Sequence, residues 1–204
     1  MSKRKKPDRS TNPKISMPAK PRYKLGQNPA FLQAMAEAGK IPAEEMALAF
    51  IDLRRRIGAE FPLSPAPAYR LANALVDDSW GQVDEAFPDD WQEESWSDWR
   101  EISDAQIALC PVFFCFAPPE VSPYYTPRWM LWVLDAIERR HSLDSLCGQQ
   151  FIWWLLRHRA KRWLKSGFSA TQIAVLEDFL SQIKNDPEYA GVIALITKGN
   201  NATG

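Results

Sequence analysis

Two histidines, three cysteines and one crowded run of carboxylates are the side chains of this 204-residue chain best suited to chemistry. A Ser-His-Asp or Cys-His nucleophile needs an imidazole to take up the proton, so such a site would have to be built on His141 or His158. Neither stands in a nucleophile elbow or beside a Gly-rich turn. His141 follows Arg139 and Arg140 near a helix end, a place for capping carbonyls or facing solvent, and His158 sits inside a basic run. Cys110 and Cys115 have Pro111 and three further residues between them, and with Cys147 and His141 they could in principle make up a zinc set. Zinc ligands usually come as tight C-x-x-C pairs in loops, whereas these cysteines adjoin Val112, Phe113, Phe114 and Phe116. Cys110 and Cys115 therefore read as small core residues, and neither a metal nor a cofactor is expected.

The carboxylates lie between positions 77 and 101, where ten acids face Arg100 alone and Trp80, Trp91, Trp96 and Trp99 are interleaved with them. Paired acids among Trp rings can flank a sugar or hold a hard cation, which makes a hydrolase the third and last reading. The calcium-loop spacing is absent, and a solvated acidic lid or a surface for a basic partner suits the composition better. Its contact residues would be Trp80, Asp84, Glu85, Asp89, Asp90, Trp91, Glu93, Glu94 and Trp96. Positive charge gathers elsewhere. In the run RHRAKRWLK, Arg157 and Lys161 share one helical face and Arg159 and Arg162 another, so the charge wraps a helix end. Residues 1 to 24 hold nine Lys or Arg against one acid, and Lys3, Arg4, Lys5, Lys6 and Arg9 could approach any polyanion without defined geometry. That tail could also lie over the chain's own acidic segment.

The elements that must position these groups are helical. The basic opening carries four prolines and few large apolar residues, so residues 1–26 are expected to be a disordered tail. Asn28 and Pro29 predict a helix start with a stop at Gly39, and Met46, Phe50, Leu53 and Ile57 mark a second helix from Pro42 to Gly58. Arg54, Arg55 and Arg56 then suit its macrodipole. A short third helix is expected over 66–76, followed by an irregular lid whose rings dock on the helices while its carboxylates face water. A hidden strand or two is allowed there. Ser103 with Gln106 and Ser169 with Gln172 are capping boxes. Thr126 and Pro127 predict the start of a Trp-rich helix carrying Trp129, Trp132, Val133 and Ile137, central to the core. Further helices are expected over Gln149–Leu164, from Ser169 along Ile173, Leu176, Leu180 and Ile183, and from Asp186 through Ile196. The fold class is all-α, with one helical domain over 27–198 and a frayed end at 199–204.

Trp99 in the acidic stretch, Tyr124 with Tyr125 and Pro127 before a helix, and Phe168 and Ser169 with Gln172, Phe179 and Leu180 give a pattern that resembles the bacterial domain of unknown function numbered 6714. The likeness spans roughly residues 70 to 185. It departs where Thr126 separates the tyrosines from the proline and where FIWWLLRHRAKRWL lengthens a connection. The resemblance implies one compact domain and assigns no catalytic or binding residue.

With 46% hydrophobic residues, nine Trp and ten Phe, a sizeable core is within reach, and a net charge of zero excludes a uniform electrostatic field. An odd cysteine count with no apolar signal segment points to a reducing, cytoplasmic setting, and no apolar run is long enough to span a membrane. The expectation is a noncatalytic protein-binding domain, immunity-like or neighbour-binding. The alternative is nucleic-acid association through the basic tail.

Overall fold

Both capping boxes form. Ser103 Oγ accepts from the Gln106 N–H at 3.2 Å while Gln106 Oε1 accepts from the Ser103 N–H at 3.1 Å; Ser169 and Gln172 repeat the exchange at 3.1 and 2.9 Å. In the computed structural model, which describes residues 29–38, 43–61, 63–79, 81, 87, 91, 94–139, 145–157 and 167–201, these boxes open two of nine α-helices. The helices are α1 (Pro29–Ala38), α2 (Ala43–Glu60), α3 (Leu71–Asp78), α4 (Asp104–Leu109), α5 (Phe113–Phe116), α6 (Ser122–Arg139), α7 (Ser145–Arg157), α8 (Ala170–Ile183) and α9 (Pro187–Asn201). Single 3-10 turns lie at Trp99–Glu101 and Pro119–Val121. The domain is all-α, without a strand among the described residues, so no strand appears in the described part of the acidic segment. No described helix is long and apolar enough to cross a membrane.

Helix α6 is the centre. Trp129, Met130, Trp132, Val133, Leu134 and Ile137 are buried, and α2, α7 and both 3-10 turns pack on it. Helix α8 lies on α2, α3 on α5, and α9 on both α1 and α7. The start of α6 differs from the expected Thr126–Pro127 cap: the helix begins at Ser122, and Pro127 lies inside it. The Pro119–Val121 turn feeds the helix directly, and Pro123 occupies its first turn, where an N–H has no intrahelical partner. Pro127 costs one backbone hydrogen bond, but the earlier start buries Tyr124 and Tyr125, whose ring area outweighs it. Thr126 caps nothing; its hydroxyl is buried without a partner.

Other boundaries move for similar reasons. Helix α2 runs past Gly58 to Glu60, so Arg54 and Arg56 stand ahead of its last turn and serve as cross-links instead of macrodipole partners. Arg54 Nη2 reaches Asp135 at 2.8 Å and Glu138 at 2.9 Å on α6, and Arg56 pairs with Asp178 on α8. Helix α3 starts at Leu71 instead of 66, because Ala66 and Tyr69 pack on the core from a nonhelical approach. Helix α7 starts at Ser145, one turn before Gln149, and the expected part beyond Arg157, residues 158–164, lies outside the described residues. Helix α9 extends to Asn201 instead of fraying from 199, with Thr197 Oγ1 bonded back to the Ile193 carbonyl at 2.8 Å.

Candidate protein-binding site

Three of the nine residues expected at the partner surface, Trp91, Glu94 and Trp96, are described, and they do three different things. Trp80, Asp84, Glu85, Asp89, Asp90 and Glu93 lie outside the described residues, as do Lys3, Arg4, Lys5, Lys6, Arg9, His141 and His158.

Trp96 is not an exposed anchor. It is 6% exposed, stacks on Tyr124 at 6.3 Å, meets Tyr125 edge-on at 6.0 Å and lies beneath the Arg70 guanidinium at 4.3 Å. So large a ring beside two buried tyrosines gains more from the core than from water. Trp99 is buried as well, which fits the expectation that the rings of this segment dock on the helices. The Glu94 carboxylate does not simply face water. It accepts from the Ala72 N–H at 2.6 Å and the Leu71 N–H at 3.3 Å, filling two orphan donors at the start of α3. Burial pushes its pKa above the ordinary carboxylate value, against the pull of those N–H groups and of Arg70.

Trp91 remains at the surface. Its half-buried ring packs on the core, and Phe87, 37% exposed, leans over it at 5.8 Å. Asp77, Asp98 and Glu101 of the same segment are bonded locally. Asp98 accepts from the Arg100 N–H at 2.8 Å, and the guanidinium bonded to its side chain holds the carboxyl below the usual range. Glu101 accepts from the Ser97 N–H at 2.6 Å. At the far end of α3, Asp77 accepts from the Tyr69 hydroxyl at 2.6 Å, and burial raises the phenol's pKa.

A feature that the sequence did not suggest lies beside this segment. Phe61, Ser64, Pro65, Pro67, Glu120, Val121, Pro123, Tyr124 and Gln172 line a cleft of about 300 Å³ between the chain after α2 and the start of α6. Tyr124 joins the two features, lining the cleft while stacking on Trp96. Its hydroxyl is buried and unpartnered, and burial pushes its pKa up to about 12, with Arg70 opposing and Asp98 and Glu101 adding to the rise. Its approach signal in the sequence is the proline spacing at 65, 67, 118, 119 and 123, which reads only as chain breaks until the fold brings the two stretches together.

The cysteines divide. Cys110 and Cys147 are buried, with Cys147 Sγ donating to the Ile107 carbonyl at 3.3 Å, and burial raises the Cys110 pKa. Cys115 is exposed, contrary to the core reading, because the one-turn α5 turns Phe113 and Phe114 inward and leaves the next position outside. Its pKa is raised all the same, first by partial burial and then by Asp78. Among the described residues no group of three His, Cys, Asp or Glu side chains could hold a metal ion. Away from the acidic segment, Leu48 and Ile51 stand 70% and 65% exposed on the outer face of α2. Comparison with known protein families, with curated proteins and with solved structures found no match.

Proposed function

We propose that this chain is a noncatalytic protein-binding domain, immunity-like or neighbour-binding, whose contact surface is the Phe87–Trp91 pair set among the acids of residues 77–101. One observation carries the reading: an aromatic pair whose inner ring is seated on the core and whose outer ring is exposed, within a stretch of ten acids and one arginine. A seated Trp presents rigid apolar area at low entropic cost, and surrounding carboxylates steer a basic partner toward it. Asp84, Glu85, Asp89, Asp90 and Glu93, with Trp80, belong to this proposed surface, while Trp96 and Glu94 are taken up by the fold. The odd number of cysteines supports the further proposal of a reducing cytoplasm, and the likeness to domain 6714 that of a bacterial one. The likeness to domain 6714 belongs to the same proposal and adds no residue role.

The test is capture from nuclease-treated lysate at low salt, comparing the full chain with a Phe87→Ser, Trp91→Ser double variant and with an Asp89→Lys, Asp90→Lys variant. The reading expects one protein held by the wild type, released by salt and missing from both variants. Equal capture by all three removes it. Nucleic acid retained by the untreated wild type, and lost when Lys3, Arg4, Lys5, Lys6 and Arg9 become Ser, favours the tail instead.

A further inference from the structure

We propose that the cleft between the chain after α2 and the start of α6 takes a cationic side chain, an arginine or lysine on an extended basic segment of the protein partner, with Glu120 as its counter-ion. The proposal rests on the protein-binding reading above and adds to it the chemistry that the partner must bring.

Size comes first. At about 300 Å³ the cleft stands at the small end of the roughly 300–1,000 Å³ usual for ligand pockets, so it suits one long side chain more than a cofactor. Part of its wall is apolar and stiff, made by Phe61, Pro65, Pro67, Val121, Pro123 and Tyr124, with Ser64, Glu120 and Gln172 as the polar part. Prolines hold fixed backbone angles, so such a wall loses little freedom when filled. An aliphatic stem can lie along it, and a guanidinium can stack against the Tyr124 ring as Arg70 already stacks against Trp96.

Charge selects the sign. Among the described residues, Glu120 is the one charged side chain lining the cleft, exposed and without an ion pair. At the Tyr124 hydroxyl Arg70 is felt more strongly than Asp98 or Glu101, but that guanidinium is already seated on Trp96. In the cleft itself an anion would meet the Glu120 carboxylate with no cation among the described lining residues to receive it. A neutral apolar group would cover Glu120 without pairing it. A guanidinium or ammonium on an apolar stem meets both demands, with its stem along the proline wall and a charge-assisted bond to Glu120.

The probe is acetyl-Pro-Arg-Pro-amide, its prolines keeping it extended, titrated into the full chain and followed by backbone-amide NMR. A peptide with citrulline in place of arginine has the same shape without the charge. We expect saturable shifts at Val121, Tyr124 and Gln172 with the arginine peptide, and affinity about tenfold lower for citrulline or for Glu120→Gln, the loss of one charge-assisted contact. Equal binding of the citrulline peptide, unchanged affinity in Glu120→Gln, or no saturable shift at these residues overturns the proposal. A second full-length variant, Lys20→Ser with Arg22→Ser, identifies the source of the cation: peptide binding only in this variant gives the cleft to the chain's own basic tail and overturns the partner assignment. Partner capture that persists while the peptide fails overturns the cleft and leaves the protein-binding reading standing. Peptide binding where no partner is captured supports the cleft and overturns that reading.

Discussion

At the scale of single residues, Glu94, Cys110 and Cys147, which looked available for chemistry, are spent on holding the fold. Glu94 is the clearest case, because its carboxylate replaces the hydrogen-bond partners missing at the start of α3. Its pKa is raised in the folded chain, so the folded state holds this proton more tightly than the unfolded one. The stabilising contribution is complete below the ordinary value of 4.5 and is lost as pH rises through the raised one. Thermal melts from about pH 4 to about pH 7 should therefore show Glu94→Gln gaining on the wild type as pH rises. A constant difference between the two would mean that burial does not govern this carboxyl. Tyr125 gives a second test. Its hydroxyl donates to the Tyr69 carbonyl at 2.7 Å, and Tyr125→Phe should cost about 1 to 2 kcal/mol by urea denaturation, because that carbonyl loses its partner.

At the scale of elements, the caps and close approaches decide which helices form and where they meet. Ser169→Ala removes the acceptor for the Gln172 N–H and should cost about 1 kcal/mol. Gln172→Ala should cost more, since Gln172 Nε2 also donates to the Glu60 carbonyl at 3.0 Å and ties the start of α8 to the end of α2. Two glycines predict opposite signs. A Cβ at Gly58 on α2 meets nothing within 4 Å, so Gly58→Ala should raise the melting temperature through helix propensity. A Cβ at Gly148 on α7 would lie 2.5 Å from the buried Tyr189 hydroxyl on α9, so Gly148→Ala should destabilise by about 1 to 3 kcal/mol. The two capping boxes and the stripe on α8 were legible because their information is local: four residues, or a 3.6-residue repeat. The start of α6 was not, since Thr-Pro is a good local cap and only the burial of Tyr124 and Tyr125 against Trp96 and Phe113 reveals why the helix begins a turn earlier. Arg54 and Arg56 were misread for the same reason: a sequence shows their place on α2 but not the Asp135, Glu138 and Asp178 that face them.

At the scale of the whole molecule, charge segregation was visible in the sequence, whereas the division of labour within the acidic segment was not. Trp91 and Trp96 are both tryptophans among acids, five positions apart, yet one is seated at the surface and the other is enclosed by Tyr124, Tyr125 and Arg70. The cleft was equally hidden, because its two sides come from chain segments more than fifty residues apart in sequence and only packing joins them. The proposed contact surface takes in the Phe87–Trp91 pair, and the proposed cation cleft is carried by Glu120; each suits a basic protein segment. The most direct measurement is amide hydrogen exchange on the full chain, alone and with the protein it captures. The account predicts slowed exchange over residues 81–101 and 118–124 in the complex. Protection confined to residues 1–24, or to the Leu48 and Ile51 face of α2, would contradict it.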